Sequence, residues 1–390
     1  MNLNRKKRVC VFTSARSDYF LLYPLLDELR KQSNSFELQL VAAGMHTSKE
    51  FGDTWKLIED DGFSITEKPS ILISSDDVAA TVTSMGIGLV HFSSILKRLN
   101  PDIIILLGDR FEMMSFATAA HIFGIPIVHI HGGELTYGAF DDAIRHCITK
   151  MATLHFPAAE DYKRRIIQMG EHPENVFNVG SLSVDTIQNS SQKTISEIAS
   201  ILNIPLKENY FLVTFHPETK GESNVKDQLE TIFKSLEQFP EHQILWTCSN
   251  ADPLGRTINE IVQSKVGPLK AKYFIVDNLG TLYLSTLRNA HLVLGNSSSA
   301  LIEAPIIGIP TVNIGCRQDG RIRTSSIIDC DFNIKNISNA IQKALSVDFI
   351  KESQKRLHPY GNGNTAKKII EHISSYDFQK NAKKVFYDIT

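Results

Sequence analysis

The chain has 390 residues, enough for two domains with separate hydrophobic cores, and it is 42% hydrophobic and 22% charged. A formal net charge of −2 gives no reason to expect nucleic acid or a membrane surface as a partner, and no segment reads as a signal peptide or as an unbroken apolar membrane span. The five cysteines have neither metal nor disulfide spacing, so we expect a cytoplasmic protein with reduced thiols.

Short apolar runs alternate with helical patterns along the first half, which is typical of a parallel sheet buried on both faces. Arg16 follows the first run, where a guanidinium can meet a phosphate; a surface pair with Asp18 is the alternative. Asp109 follows a later run in the same way. The predicted strands of this half are 8–13, 36–43, 103–107, 127–131, 154–157 and 176–179.

The second half repeats this alternation after a crossing at 186–209 that is rich in Ser, Asn and Lys. Its predicted strands are 210–214, 243–247, 273–276 and 292–294. We therefore predict an α/β protein with two doubly wound, Rossmann-like domains at residues 1–185 and 186–364. The remaining segment, 365–390, is expected to form a helix that returns to the first domain.

A strand, a polar turn and a short helix are predicted between Leu292 and Pro305. Asn296 and the three serines after it are suited to starting a helix, which Pro305 would end. A helix N-terminus after a parallel strand offers free N–H groups to a phosphate, and Glu303 could accept from a ribose diol. A capped helix without any ligand fits this stretch equally well.

Residues 106–133 repeat the same order of strand, glycine, polar turn, helix and strand. Gly-Ile-Pro at 124–126 matches Gly-Ile-Pro at 308–310. Two such units indicate two doubly wound halves, whose ligands bind at the carboxyl ends of the strands. The cleft between the halves is therefore the expected site.

The chemically active residues differ between the halves. Carboxylates can act as acid and base, whereas hydroxyls and arginine suit a diphosphate. Asp141 and Arg145 share one helical face, although an ordinary surface pair would have the same spacing. The first-half set is Asp109, Glu112, His131, Glu134, Asp141 and Arg145, and the second-half set is His216, Asn250, Asp252, Ser297, Ser298, Glu303 and Arg317.

His129 and His131 allow a competing interpretation as a divalent-metal site, because residues two apart on a strand share a face. Glu134 and Asp109 would be the nearest further ligands. A zinc site needs ligands at defined places, and none is clearly supplied. The pattern therefore favours a hydrogen-bonded core histidine at position 129.

Seven motifs together are far more specific than any one alone. They are TSARSDYF (13–20), GDRFE (108–112), HIHGGE (129–134), DDAIRH (141–146), FHP (215–217), GNSSSALIEAP (295–305) and a turn that carries Arg317 and Arg321. With them the chain resembles, over nearly all its length, the hydrolysing UDP-N-acetylglucosamine 2-epimerases of bacterial sialic-acid and legionaminic-acid synthesis. The resemblance implies the two-domain glycosyltransferase-B fold with the site in the interdomain cleft.

The resemblance also implies a reaction. A base removes the C2 proton of the sugar while UDP leaves C1, and water then adds to the 2-acetamidoglucal to give the C2-inverted, manno-configured free sugar. A homodimer and no metal or redox cofactor are implied. The implied catalytic residues are Asp109, His131, Glu134, Asp141 and His216, and the implied UDP-binding residues are Arg16, Arg145, Ser181, His216, Asn250, Ser297, Ser298, Glu303 and Arg317.

One departure from the family pattern concerns the sugar. Members that act on UDP-N-acetylglucosamine usually have Glu where His131 stands, whereas similar proteins acting on UDP-N,N′-diacetylbacillosamine tend to read HIHGGE. The motif slightly favours the diacetylbacillosamine form, and an imidazole can still act as acid or base near pH 7. A non-hydrolysing 2-epimerase, a glycosyltransferase of this fold, a metal-dependent hydrolase and a non-catalytic UDP-binding protein are the alternatives.

Overall fold

The computed structural model describes residues 5–75, 77–218, 224–249, 254–267, 272–277, 279–380 and 383–389. The chain forms two compact units. Unit 1 consists of Met1–Glu134, Asp141–Thr186 and Pro359–Thr390, and unit 2 consists of Leu135–Phe140 and Ile187–His358. The short excursion at 135–140 has no counterpart in the sequence-based boundaries.

Twelve strands and fifteen α-helices make up the described parts of the two units. The strands are β1 (Lys7–Thr13), β2 (Phe36–Ala42), β3 (Ile65–Glu67), β4 (Ile103–Leu107), β5 (Ile127–Ile130), β6 (Leu154–Phe156), β7 (Tyr210–Thr214), β8 (Gln243–Thr247), β9 (Tyr273–Val276), β10 (Leu292–Gly295), β11 (Thr311–Ile314) and β12 (Ile327–Cys330). The helices are α1 (Arg16–Lys31), α2 (Trp55–Asp60), α3 (Val78–Leu99), α4 (Phe111–Ile122), α5 (Asp141–Met151), α6 (Glu160–Gln168), α7 (Leu182–Asn189), α8 (Ile195–Leu202), α9 (Val225–Leu236), α10 (Gly255–Val266), α11 (Tyr283–Asn289), α12 (Glu303–Ile307), α13 (Ile334–Ala344), α14 (Val347–Gln354) and α15 (Thr365–Ser375).

Each unit contains one six-stranded parallel sheet, and the two sheets have the same topology. The strand orders are β3-β2-β1-β4-β5-β6 and β12-β11-β10-β7-β8-β9. In each unit the order reverses between its first and fourth strands, β1 and β4 in unit 1 and β7 and β10 in unit 2. The prediction of two doubly wound halves is confirmed, and ligands of such sheets bind where the order reverses.

Strand β4 shows why the central strands read as continuous apolar runs. Ile103 and Ile105 pack in one buried cluster, together with α1 and α15, whereas Ile104 and Leu106 pack in a second cluster that contains residues of α3 and α4. Both faces of the sheet are therefore covered, as a parallel sheet requires.

The segment after β10 differs from the prediction. Ser297 caps a 3₁₀ turn at Ser298–Ala300, and α12 follows only after it. The prediction that Pro305 ends a helix is wrong, because Pro305 lies in the first turn of α12, where its missing N–H costs no helical hydrogen bond. The helix ends instead at Gly308, whose φ of 95° lies in the left-handed region that glycine tolerates.

The predicted strand at 176–179 is also wrong. Val176 forms only an isolated bridge with His155. The side chain of Asn178 accepts a hydrogen bond from the N–H of Gly180 at 3.3 Å, which turns the chain away from β6.

His46 and His129 are both fully buried in unit 1. The ring nitrogens of His46 lie 3.0 Å from Thr13 Oγ1 and 2.8 Å from Thr54 Oγ1. His129 Nε2 lies 2.8 Å from the carbonyl oxygen of Gly108 and its Nδ1 lies 3.1 Å from a threonine hydroxyl. Burial lowers the pKa of His46 to about 4 and that of His129 to about 3.

We expect the free energy of unfolding to fall as the pH is lowered from 7 to 5. An unfolded histidine binds a proton near pH ~6.5, whereas these two bind one in the folded state only near their lowered pKa values. Protons therefore favour the unfolded chain below pH ~6.5, by on the order of 1–2 kcal/mol per histidine at pH 5. Urea unfolding at both pH values measures the loss, and His129→Gln should reduce it. Equal stability at pH 7 and pH 5 would contradict the account.

Candidate active site

The guanidinium of Arg145, on α5, is the centre of the polar cluster in unit 1. Its side chain is only 1% exposed. Nη2 pairs with Asp109, directly after β4; Nη1 donates to the carbonyl oxygen of Glu134 at 2.8 Å and lies 3.5 Å from Asp142 Oδ1. A buried cation requires compensation of this kind. Arg145 is therefore not part of an ordinary surface pair.

Asp142 belongs to this polar cluster, although the sequence-based assignment did not include it. Its side chain is 14% exposed, and it lies close to both Arg145 and His146, whose Nε2 is 3.8 Å from Asp142 Oδ2. The assignment chose Asp141, one helical turn before Arg145. The i,i+3 spacing of Asp142 and Arg145 on α5 was the signal that could have identified the second carboxylate.

His131, Ser181 and Glu134 come together beside this cluster. His131 Nε2 lies 3.3 Å from Ser181 Oγ and Nδ1 lies 3.9 Å from Glu134 Oε1. All three residues are buried. His131 has a φ of 63°, a left-handed conformation that is uncommon outside glycine and is concentrated at functional sites.

The left-handed backbone at His131 argues against a metal site formed by His129 and His131. His131 follows the last residue of β5, so strand alternation no longer places its ring beside that of His129. Both ring nitrogens of His129 are hydrogen-bonded, to Gly108 and Thr149. Within the described ranges, no three His, Cys, Asp or Glu side chains are grouped so that they could hold a metal ion.

Arg16 stands at the start of α1, after β1. Asp18, the alternative partner of Arg16, bonds to the backbone instead: its Oδ2 accepts from the N–H groups of Ser14 at 2.7 Å and Ala15 at 3.1 Å. Among the residues that the structure describes, the buried Nη1 of Arg16 has no hydrogen-bond partner. Burial also lowers the pKa of this guanidinium to about 10.

In unit 2, His216 and Arg317 are connected through Asn296. His216 follows β7, and its Nδ1 lies 3.1 Å from Ser249 Oγ. Arg317 follows β11, and its Nη1 donates to the carbonyl oxygen of Asn296 at 3.1 Å. Asn296 is itself fully buried directly after β10. The ends of three neighbouring strands thus share one hydrogen-bonded network.

The serine turn after β10 lies next to this network in the chain. Ser297 and Ser298 are partly exposed, whereas Ser299 bonds to the hydroxyl of Tyr283. Glu303, at the start of α12, is 9% exposed. The predicted residues Asn250 and Asp252 lie outside the described residues.

Comparison with known proteins gives a consistent assignment. The family model "UDP-N-acetylglucosamine 2-epimerase" matches residues 27–374. A GDP/UDP-N,N′-diacetylbacillosamine 2-epimerase (hydrolyzing) of Campylobacter jejuni is 39% identical over 345 residues, 88% of this chain and 89% of that protein. Polysialic acid biosynthesis protein P7 of Escherichia coli is 35% identical over 98% of each chain.

A solved structure shares the fold. The UDP-GlcNAc 2-epimerase of Neisseria meningitidis, bound to UDP-GlcNAc, aligns with a TM-score of 0.78 at 16% identity, over 95% of this chain and 100% of that chain. The predicted pair of Rossmann-like domains is therefore confirmed at the level of fold. On the family model and the identity to its relatives, this chain belongs to the UDP-N-acetylglucosamine 2-epimerase family.

Proposed function

We propose that the protein is a hydrolysing 2-epimerase of a UDP-2-acetamido sugar. The observation that carries the proposal is the presence of two partly exposed carboxylates, Asp109 and Asp142, against the one buried guanidinium of Arg145. The proposed substrate is UDP-N,N′-diacetylbacillosamine, with UDP-N-acetylglucosamine as the alternative. The HIHGGE motif and the activity named for the Campylobacter relative support the first.

In the first proposed step, the proton on C2 passes to a base and the C2–H electron pair becomes the C1=C2 double bond. The C1–O bond breaks, and its electron pair leaves with UDP. In the second step, hydroxide from water adds to C1 and a proton returns to C2 on the opposite face. Each positioned proton transfer typically contributes roughly 10²–10⁴-fold. The proposed acid–base residues are Asp109, His131, Glu134 and Asp141, with Asp142 added from the structure.

Besides proton transfer, the reaction requires that the negative charge developing on the leaving diphosphate in the first step be stabilised. His216 and Arg145 are proposed to stabilise the departing diphosphate. The buried Nη1 of Arg16 supports a role with the same anion, because within the described chain this nitrogen has no other partner. The proposed UDP-binding residues are Arg16, Arg145, Ser181, His216, Asn250, Ser297, Ser298, Glu303 and Arg317.

The products feed a synthesis of nonulosonic acids in this proposal. The name of the Escherichia coli relative, a polysialic acid biosynthesis protein, supports that placement. We also propose that the enzyme is cytoplasmic, where nucleotide sugars are made. Within the described chain, only helix α3 is long and apolar enough for a membrane span by length and composition, with a mean hydropathy of 1.4.

Proton NMR in D₂O tests the reaction and the sugar together. Wild-type protein with UDP-N,N′-diacetylbacillosamine should give free UDP and a C2-inverted sugar that carries deuterium at C2. UDP-N-acetylglucosamine in a parallel sample should react more slowly. Release of UDP with the C2 proton retained would contradict the epimerase proposal and indicate hydrolysis or glycosyl transfer; a UDP-linked inverted product would indicate a non-hydrolysing epimerase.

Substitution of Asp142 tests the carboxylate pair. Asp142→Asn should lower kcat by roughly 10²–10⁴-fold, because it removes a group proposed to move a proton, and should leave the Kd for UDP nearly unchanged. Asp161→Asn is the matched control, since Asp161 is also paired three residues ahead of an arginine at the start of a helix, on the exposed surface. Equal activity of the two variants would exclude a catalytic role for Asp142.

The homodimer implied by the family is proposed to form through α3. Four residues on the exposed side of this helix are large and apolar: Val78, Val82, Leu89 and Val90, which are 64%, 64%, 39% and 73% exposed. An apolar stripe of this kind, on a helix with no Asp, Glu, Lys or Arg before its last turn, is unfavourable in water and favours burial against a second copy.

Sedimentation velocity measures this assembly. Wild type should sediment as a dimer and Val82→Asp as a monomer, because a carboxylate would be buried in the interface. His91→Asp is the control, at an exposed position on the opposite side of the same helix from Val82. A monomeric wild type, or wild type that floats with phospholipid vesicles, would contradict the assignment of a second copy to this face.

A further inference from the structure

We propose that Asn296 is a positioning residue that holds His216 and Arg317 in one fixed arrangement for the leaving diphosphate. This inference rests on the proposed function, because it assumes that those two side chains bind UDP. Asn296 was expected to help start a helix. In the structure its side chain instead bonds to the backbone of His216.

The side-chain amide of Asn296 makes two hydrogen bonds to the backbone of His216. Its Oδ1 accepts from the N–H of His216 at 2.7 Å, and its Nδ2 donates to the carbonyl oxygen of His216 at 2.8 Å. Both functional atoms of the side chain are thereby used within the protein. The amide is therefore placed to fix the backbone of His216, and through it the imidazole.

The backbone of Asn296 bonds to the side chain of Arg317. Its carbonyl oxygen accepts from Arg317 Nη1 at 3.1 Å and from Gln318 Nε2 at 2.8 Å. Gln318 is fully buried, so this contact also fixes the turn that carries Arg317. One residue thus connects the ends of β7, β10 and β11.

The close approach of β7 and β10 explains why the side chain of Asn296, after β10, can contact His216, after β7. Gly295 has a φ of 132°, and a Cβ at that position would lie 1.9 Å from the carbonyl oxygen of Thr214. The chains of β7 and β10 therefore approach closely at their carboxyl ends. An amide donates from one terminal atom and accepts at the other, as the N–H and the carbonyl of His216 require, whereas aspartate would place an oxygen against the carbonyl of His216.

Glu218 makes a second restraint on the same turn. Its Oε1 accepts from the N–H groups of Cys316 at 2.8 Å and Arg317 at 3.2 Å. The backbone of Arg317 is thus held from one side and its guanidinium from the other. Such preorganisation lowers the cost of placing cationic groups where charge develops on the leaving group.

Calorimetric titration with UDP and steady-state kinetics test the inference on three proteins. Asn296→Ala should weaken UDP binding about tenfold or more and lower kcat, since it removes both hydrogen bonds between this amide and the backbone of His216. Asn313→Ala is the matched control: Asn313 is also fully buried, on the neighbouring strand β11, but its Nδ2 donates to Asp329 at 2.7 Å and not to the backbone of His216.

A purely structural role would lower the melting temperature of both variants and change the Kd for UDP in neither, and this result would overturn the proposal. If Asn296→Ala does not fold, Asn296→Asp replaces it, because it keeps the size of the side chain while it loses the Nδ2 donor and gains a negative charge; UDP affinity equal to wild type would again overturn the proposal. Wild-type protein that fails to bind UDP would instead contradict the proposed function itself.

Discussion

The burial of the Arg145 guanidinium is the constraint on which the site in unit 1 depends. A cation removed from water must be compensated by charge and hydrogen bonds, or the fold loses several kcal/mol. Asp109, Asp142 and the carbonyl oxygen of Glu134 supply that compensation. Because these groups come from the end of β4, the segment after β5 and the first turn of α5, the ion cluster fixes three elements together. The carboxylates are held in place without being fully removed from solvent.

The two units have the same sheet topology but different chemistry at the point where the strand order reverses. In unit 1 the ends of β1 and β4 carry Arg16 and Asp109, which are charged. In unit 2 the ends of β7 and β10 carry an imidazole, an amide and hydroxyls. An elimination that expels a diphosphate needs proton transfer at the sugar and stabilisation of the leaving anion. In our proposal the carboxylates of unit 1 transfer the protons, whereas residues of both units stabilise the leaving anion, Arg16 and Arg145 in unit 1 and His216 in unit 2.

Much of the fold could be predicted because its signals are local. Apolar runs such as 103–107 are strands whose two faces are both buried, and Gly-Ile-Pro ends a helix and starts a strand in both units. The predicted Arg145 does meet Asp109: Asp109 follows β4, and Arg145 lies on the helix that follows the neighbouring strand β5. Pro305 was misread because a proline ends a helix in most positions but is tolerated in its first turn.

The parts that escaped prediction depend on contacts between distant residues. Asn296 bonds to a residue 80 positions away, and an asparagine after a strand reads equally well as a helix cap. The choice between Asp141 and Asp142 depends on the rotation of α5 about its axis, which spacing alone does not determine. The packing of 135–140 with unit 2 follows from close backbone contacts, such as that between Gly138 and Arg317, that no composition signal indicates.

The central claim is that the carboxylates of unit 1 transfer protons and do not hold the nucleotide, whereas the serine turn of unit 2 binds it. Calorimetric titration of UDP into one variant of each unit tests this claim most directly. The account predicts that Ser298→Ala, in unit 2, weakens UDP binding about tenfold, while Asp109→Asn, in unit 1, changes it by less than about threefold. Both variants should be inactive or slow in turnover. A large loss of UDP affinity in Asp109→Asn with none in Ser298→Ala would contradict the account, because the carboxylate side would then be holding the nucleotide.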